Sequence, residues 1–161
     1  MRRALLLVTW VWAVGCGYRL VVPGGSLPLG VKSVQVPVFE NRSYEPNVEA
    51  LVTEAVRERY ARAGRLAGEA AEATVNGVVL DWRGGVAFGG ARPTYQVSAT
   101  VRVTLKKGDQ VLREVIVSQI ETFTTGADVL LTESNRGAAT RRLTELLARD
   151  VVEQLSVPPG A

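Results

Sequence analysis

The side chains able to do chemistry in this sequence are few and uneven in kind. One cysteine, Cys16, stands behind an apolar run and directly before Gly17-Tyr18, and the 161 residues include no histidine. Without imidazole, neither Ser-His-Asp nor Cys-His catalysis nor a histidine-bearing metal site can be assembled. Carboxylates are scattered, and no pair has an argued spacing for a general acid and base. Glu121, on an apolar-rich stretch, reads as a residue of a wet strand face. The glycine-rich run from Arg83-Gly84-Gly85 to Gly89-Gly90 invites a phosphate cradle, but no Gly-Lys-Ser/Thr follows and no helix begins there. It reads as a hairpin connection whose arginines, Arg83 and Arg92, are available to an anionic partner. Arg136, Arg141 and Arg142 cluster near the expected start of a last helix, where basic charge is poorly matched to the helix dipole. They serve either an anionic ligand or a solvated surface. These residues point to no enzyme and to no cofactor.

Cys16 is explained by what precedes it. Met1-Arg2-Arg3 is a short positive region, and Ala4 to Val14 is apolar apart from Thr9. Eleven residues are too few for a membrane-spanning helix, which takes about 20, and they fit the apolar part of a secretory signal. Ala13-Val14-Gly15-Cys16 resembles the lipobox of bacterial lipoproteins, whose cysteine receives diacylglycerol before the peptide ahead of it is removed. Two or more acyl chains hold a protein firmly to a membrane where one does not. The expected organisation is a signal peptide at 1–15, an acylated tether at 16–30, one domain at 31–157 and a short tail at 158–161. Gly17 follows the cysteine in place of the aspartate that would resemble an inner-membrane retention signal, so delivery to the outer membrane is expected.

Composition supports one globular domain: 47% of residues are hydrophobic and 22% charged, with no internal repeat. With Arg2 and Arg3 removed from the 19 basic side chains, 17 face 16 acidic ones, a net of +1. Such dispersed, nearly balanced charge argues against a nucleic-acid partner.

The elements that must position these residues follow from periodicity. Val34, Val36 and Val38 in a run from Val31 to Phe39 predict a strand, with Pro37 marking an edge or a bulge. Glu45-Pro46-Asn47 predicts a helix start with Asn as cap, and Val48, Leu51, Val52, Ala55, Val56 and Tyr60 form its apolar stripe until Gly64. Thr74 to Arg83 predicts a second strand. From Thr94 to Lys107, Tyr95, Val97, Ala99, Val101, Val103 and Leu105 alternate with Thr94, Gln96, Ser98, Thr100, Arg102 and Thr104, giving a third strand with one dry and one wet face. The wet stripe suits a plain exposed sheet face or the water-filled lumen of an outer-membrane barrel equally well. A fourth strand runs from Gln110 to Thr124 with a bulge between Val111 and Leu112, and a final helix begins between Leu131 and Ala138. The fold expected is α+β: a two-layer sandwich of a four-stranded, mostly antiparallel sheet with two helices on one face, in the order β-α-β-β-β-α.

Taken in order, Cys16-Gly17-Tyr18-x-Leu20, Leu27-Pro28, Val36-Pro37-Val38-Phe39-Glu40-Asn41-Arg42-Ser43, Glu45-Pro46, Leu51-Val52-Thr53-Glu54-Ala55, Ala73-x-x-x-Gly77-x-Val79 and Arg149-Asp150-Val151-Val152-Glu153-Gln154-Leu155 resemble the LPS-assembly lipoprotein family, LptE. The resemblance implies a non-enzymatic lipoprotein anchored through Cys16 on the periplasmic side of the outer membrane. It implies a plug in the large β-barrel LptD that assists the barrel's assembly and binds lipopolysaccharide in transit. It further implies a lipopolysaccharide-binding role for Arg136 and, by a looser match, Arg92. Periplasmic lipoproteins that regulate a cell-wall synthase or scaffold a secretion complex share the FENRS-to-helix stretch and form the competing reading.

Overall fold

The computed structural model describes residues 27–90 and 93–157. Cys16, Arg92, the signal segment 1–15 and the tail 158–161 lie outside the described residues. The elements are a short 3-10 turn at Pro28–Gly30, strands β1 (Val34–Gln35) and β2 (Glu40–Asn41), helix α1 (Val48–Arg62), strands β3 (Ala73–Phe88), β4 (Thr94–Lys107) and β5 (Gln110–Thr124), and helix α2 (Val129–Ser156). β3, β4 and β5 form an antiparallel meander, and β1 and β2 both pair in parallel with the outer side of β3. The α+β sandwich is as expected, but the sheet is mixed and five-stranded rather than four-stranded.

The difference arises at Pro37. Proline has no N–H to give to a ladder, and of the strand expected from Val31 to Phe39 only β1 forms, with pairing resuming just beyond it in β2. Side-chain parity changes at the break: Val34, Val36 and Phe39 are buried while Val38 is exposed. Helix α1 finishes the backbone across the gap, with Arg57 Nε donating to the Val36 carbonyl at 2.8 Å and Phe39 N–H donating to Thr53 Oγ1 at 2.9 Å.

One core lies between the sheet and the two helices. β4 contributes Val97, Ala99, Val101, Val103 and Leu105, α1 contributes Val48, Val52, Val56 and Tyr60, and α2 contributes Leu143, Leu147, Val151 and Leu155, all buried. Each such aliphatic side chain stabilises the fold by roughly 1.5–3 kcal/mol when fully removed from water. Leu51, expected on the stripe, is half exposed instead. Leu27 is also buried, so the packed body begins inside the segment expected as tether.

Several boundaries are corrected. Asn47 stands at the start of α1 with φ 65° and makes no side-chain cap bond, so it serves the turn through its tolerance of left-handed backbone. The other end of α1 closes as expected, with Gly64 at φ +66° and Arg65 N–H donating to the Tyr60 carbonyl at 2.9 Å. β3 continues through Gly84 and Gly85 to Phe88, because pairing with β4 outweighs the poor strand preference of glycine. The β5 bulge is where expected: the register passes from Leu105–Arg113 to Lys106–Val111 and leaves Leu112 over. α2 begins at Val129, earlier than expected, because Asp128 caps it by accepting from Leu131 N–H at 2.7 Å. Gly137 therefore lies inside the helix at a cost of ~1 kcal/mol relative to alanine. Arg136 is two turns in, so the dipole mismatch expected for it falls away.

Candidate functional site

The sheet has two distinct ends. At one, the Lys107–Gln110 hairpin, the start of β3 and the end of α2 come together, with Arg113 Nη1 donating to the Val157 carbonyl at 2.6 Å. The described chain enters there, since Lys32 N–H donates to Glu72 Oε2 at 3.1 Å and Ala73 N–H to the Ser33 carbonyl at 3.3 Å. At the far end lie Phe88, Thr94 and Thr124, paired across three strands, and the start of α2, where Asn135 Nδ2 donates to the Thr124 carbonyl at 2.9 Å. The 14 residues of β4 separate the ends by about 45 Å at ~3.3 Å per residue.

The far end combines exposed apolar side chains with arginines. Phe88 is 72%, Val129 77% and Leu130 82% exposed, and Val86 and Leu131 are also open to solvent. Behind them Tyr95 and Phe123 stack on the inner face with centroids 5.7 Å apart. A shallow groove of about 310 Å³ runs beside α2 between Thr94, Phe123, Thr124, Asn135 and Arg142. Arg142 Nε donates to Glu121 Oε2 at 3.1 Å. Glu121 is thus on the helix-facing side of β5 and bound to a cation, not on the wet face expected for it.

Arg136, the site residue carried by the resemblance, projects from α2 toward the start of α1. Its guanidinium lies 3.4 Å from Glu45 and 3.8 Å from Glu133, and its side chain is 44% exposed. Any anionic ligand must therefore compete with two carboxylates. Arg141 is exposed and makes no ion pair among the described residues. Arg83 is paired with Asp81 at 2.8 Å on the outer face. The structure thus separates the three arginines expected as a cluster: Arg136 faces α1, Arg142 faces β5 and Arg141 faces solvent.

The stretch around Asn41 is a different kind of site. Asn41 Nδ2 donates to the Glu45 carbonyl and to Glu49 Oε2, each at 2.8 Å, while its Oδ1 accepts from Ser43 N–H at 2.9 Å. The bond from Arg42 holds the exposed Glu40 carboxyl below its ordinary value and raises the Arg42 guanidinium in turn. This network builds the turn into α1.

Sequence reasoning missed Val129 and Leu130, because it began the last helix too late. The signal was present: Asp128 followed by three apolar residues is a cap before an apolar helix start.

A family model described as LptE, lipopolysaccharide-assembly, matches residues 31–155. No curated protein matches the sequence. Among solved structures, the chain is similar to a hypothetical protein from Chlamydia trachomatis, with TM-score 0.55 and 13% identity over 78% of this chain and 96% of that one. It is also similar to a protein from Caulobacter crescentus provisionally classed as a lipoprotein, with TM-score 0.52 and 17% identity over 74% of this chain and 88% of that one. A minor lipoprotein from Acinetobacter baumannii gives TM-score 0.52 and 14% identity over 78% of this chain and 92% of that one. At these identities the likeness is one of fold.

Proposed function

The chain belongs to the lipopolysaccharide-assembly family LptE, and from that membership we propose that it is a lipoprotein held to the outer membrane through acylated Cys16. There it plugs and helps to assemble the barrel LptD, and it binds lipopolysaccharide on its way to the outer leaflet. Binding, not catalysis, is the mechanism.

The observation that carries the finer reading is the far end of the sheet. Lipopolysaccharide offers phosphates beside acyl chains, and this end offers exposed Phe88, Val129 and Leu130 with Arg142 on the β5 side of α2 and Arg136 on its α1 side. Phosphate is a strong acceptor of charge-assisted hydrogen bonds from guanidinium, so it can displace Glu45 from Arg136 while apolar side chains meet the chains. The outer face of the sheet supports the plug reading: Thr100 and Ser118 hydroxyls bond across strands at 2.9 Å, and Gln96, Ser98 and Thr104 are half-buried there. Such a face is compatible with a hydrated lumen. The body's length of about 45 Å exceeds a hydrocarbon layer of about 30 Å. A domain tethered in one leaflet and housed in a barrel can carry its far end to the other.

Isolation of the full-length lipoprotein from membranes tests the reading. Co-isolation of a large β-barrel and a diacylated Cys16 peptide by mass spectrometry are expected; recovery of a peptidoglycan enzyme would replace it with the regulator reading, and an unmodified Cys16 would remove the lipid anchor that both readings require. In the same preparation Arg136→Glu is expected to lower lipopolysaccharide crosslinking about tenfold, the equivalent of ~1.4 kcal/mol, with barrel association retained. Unchanged crosslinking would make Arg136 an ordinary partner of Glu45.

A further inference from the structure

The two edges of the sheet are finished differently. Along β1 the chain closes its own edge: Val34 N–H donates to the Arg65 carbonyl and Ala67 N–H to the Val34 carbonyl, each at 2.9 Å. Along β5 the only strand partner among the described residues is β4. The orientation of the unpaired groups on β5 follows from its far end, where helix side chains reach them. Asn135 Nδ2 donates to the Thr124 carbonyl at 2.9 Å and Arg142 Nη2 to the Thr122 carbonyl at 3.4 Å. Backbone groups in an antiparallel ladder alternate between the partner strand and the free edge with a period of two. The register is unbroken from Arg113 to Thr124. Glu114, Ile116, Ser118 and Ile120 therefore also turn their N–H and C=O groups outward, and no side chain among the described residues finishes them.

Edges that must stay alone carry charged side chains, above all lysine, or proline or a bulge. The stretch from Glu114 to Ile120 has no proline or lysine, its one charge is Glu114 at its start, and the β5 bulge lies before it at Leu112. It presents instead Ile116, 54% exposed, and Ile120, 59% exposed, on one face of an ordered strand. We propose that Glu114–Ile120 of β5 receives an extended segment of a partner polypeptide as a sixth strand, the mode of recognition known as β-augmentation.

The surroundings of the edge select the occupant. A second copy pairing β5 with β5 would bring its own α2, which lies chiefly over β5. Paired strands lie ~4.8 Å apart whereas packed helices need 8–10 Å, so the two helices would collide. The occupant is a strand with no helix on that side. Its outer side chains must be apolar to cover Ile116 and Ile120. Its inner ones must be polar, because they meet the flank of α2 where Arg142 holds Glu121 and Asp150 holds Gln119. On the function proposed above, on which only the partner's identity rests, this is a segment of the LptD barrel protein outside its closed wall, since strands within a closed wall have both edges satisfied.

The test uses the full lipoprotein in its own membranes, with a photocrosslinking residue at position 118. An adduct with the co-isolated barrel protein is expected. Ser118→Pro, which removes one outward N–H and the Thr100–Ser118 hydroxyl bond but no backbone hydrogen bond to β4, should lower barrel crosslinking from position 116 about tenfold, or ~1.4 kcal/mol. Ile120→Lys, which leaves the backbone untouched, should do the same at unchanged Tm and serves if the proline variant unfolds. If the barrel co-isolates but the adduct at 118 forms with a second copy or with this chain's own residues before Leu27, or if both variants crosslink normally, the inference fails and the proposed function stands. If no barrel co-isolates, both fall.

Discussion

The corner where β1, β2 and α1 meet and the far end around Phe88 and Leu130 handle exposure in opposite ways. In the corner, Asn41, Ser43, Thr53 and Arg57 place their polar atoms on backbone groups, and Phe39 lies directly over Gly77. At the far end, large apolar side chains stand in solvent beside arginines. The corner holds Phe39 to Ser43, Thr53 and Gly77, residues that carry much of the resemblance to the LptE family, whereas Phe88, Val129, Leu130 and Arg142 are in none of its motifs. An ion pair between Arg136 and Glu45 links the two regions. The motifs thus record what holds this fold together, and, apart from Arg136, the surface proposed to meet lipopolysaccharide is written in residues that the resemblance does not name.

The sharpest way to break this comparison is to crowd the corner. A Cβ at position 77 would clash with the Phe39 ring. Gly77→Ala is expected to destabilise the domain by about 1–3 kcal/mol, the usual range for forcing extra volume into a packed core. Denaturant unfolding measures it, and Phe39→Leu in the same chain should recover part of the loss, since residues in contact are not additive. A Gly77→Ala variant with unchanged stability would mean that the Phe39–Gly77 contact does not hold the corner.

What could be read from the sequence divides along the same line. The six alternations from Thr94 to Lys107 gave β4 its full length, because a half-buried strand imprints burial directly on residue type. The bulge at Leu112 was legible for the same reason: parity changes when one residue is added. The split at Pro37 was only half legible. Proline announced an irregularity, but which groups would replace the ladder depended on Arg57 and Thr53 arriving from a helix many residues away. The continuation of β3 through Gly84 and Gly85 and the partners of Arg136 were not legible at all, since both are set by segments distant in the chain. Of the site residues, Arg136 was found through the resemblance, while the apolar residues beside it needed the true start of α2.

A smaller effect tests the buried side of the corner. Tyr60 is fully buried at the base of α1, and its hydroxyl has no hydrogen-bond partner among the described residues. Burial raises its pKa, against a weaker opposing influence from Arg65. The folded chain therefore keeps the phenolic proton where the unfolded chain loses it, near pH 10. The stability linked to this proton is complete below about pH 10 and is lost as pH rises beyond it toward the folded value. Tyr60→Phe should remove this alkaline loss. Near neutral pH it should leave stability unchanged or raise it by about 1 kcal/mol, because the buried, unpaired hydroxyl is gone. Thermal unfolding of both forms at pH 7 and above pH 10 reads the two effects, and an equal alkaline loss in the phenylalanine variant would assign that loss elsewhere.

The smallest effect on stability is expected where the comparison predicts the largest effect on binding. Leu130 is 82% exposed in the first turn of α2, behind the Asp128 cap, and the cap bond goes to the backbone of Leu131. Leu130→Ser leaves that bond in place and removes an apolar side chain already in water, so unfolding free energy should change by no more than about 0.5 kcal/mol. If the far end takes acyl chains, the same substitution withdraws much of the area that leucine can bury, worth roughly 1.5–3 kcal/mol for a side chain passing fully out of water. Lipopolysaccharide crosslinking should then fall by about tenfold while Tm holds. A variant that keeps its crosslinking would separate the arginines from the apolar residues beside them and leave charge alone to hold the lipid. One that loses both Tm and crosslinking would place Leu130 with the corner, among the residues that maintain the fold.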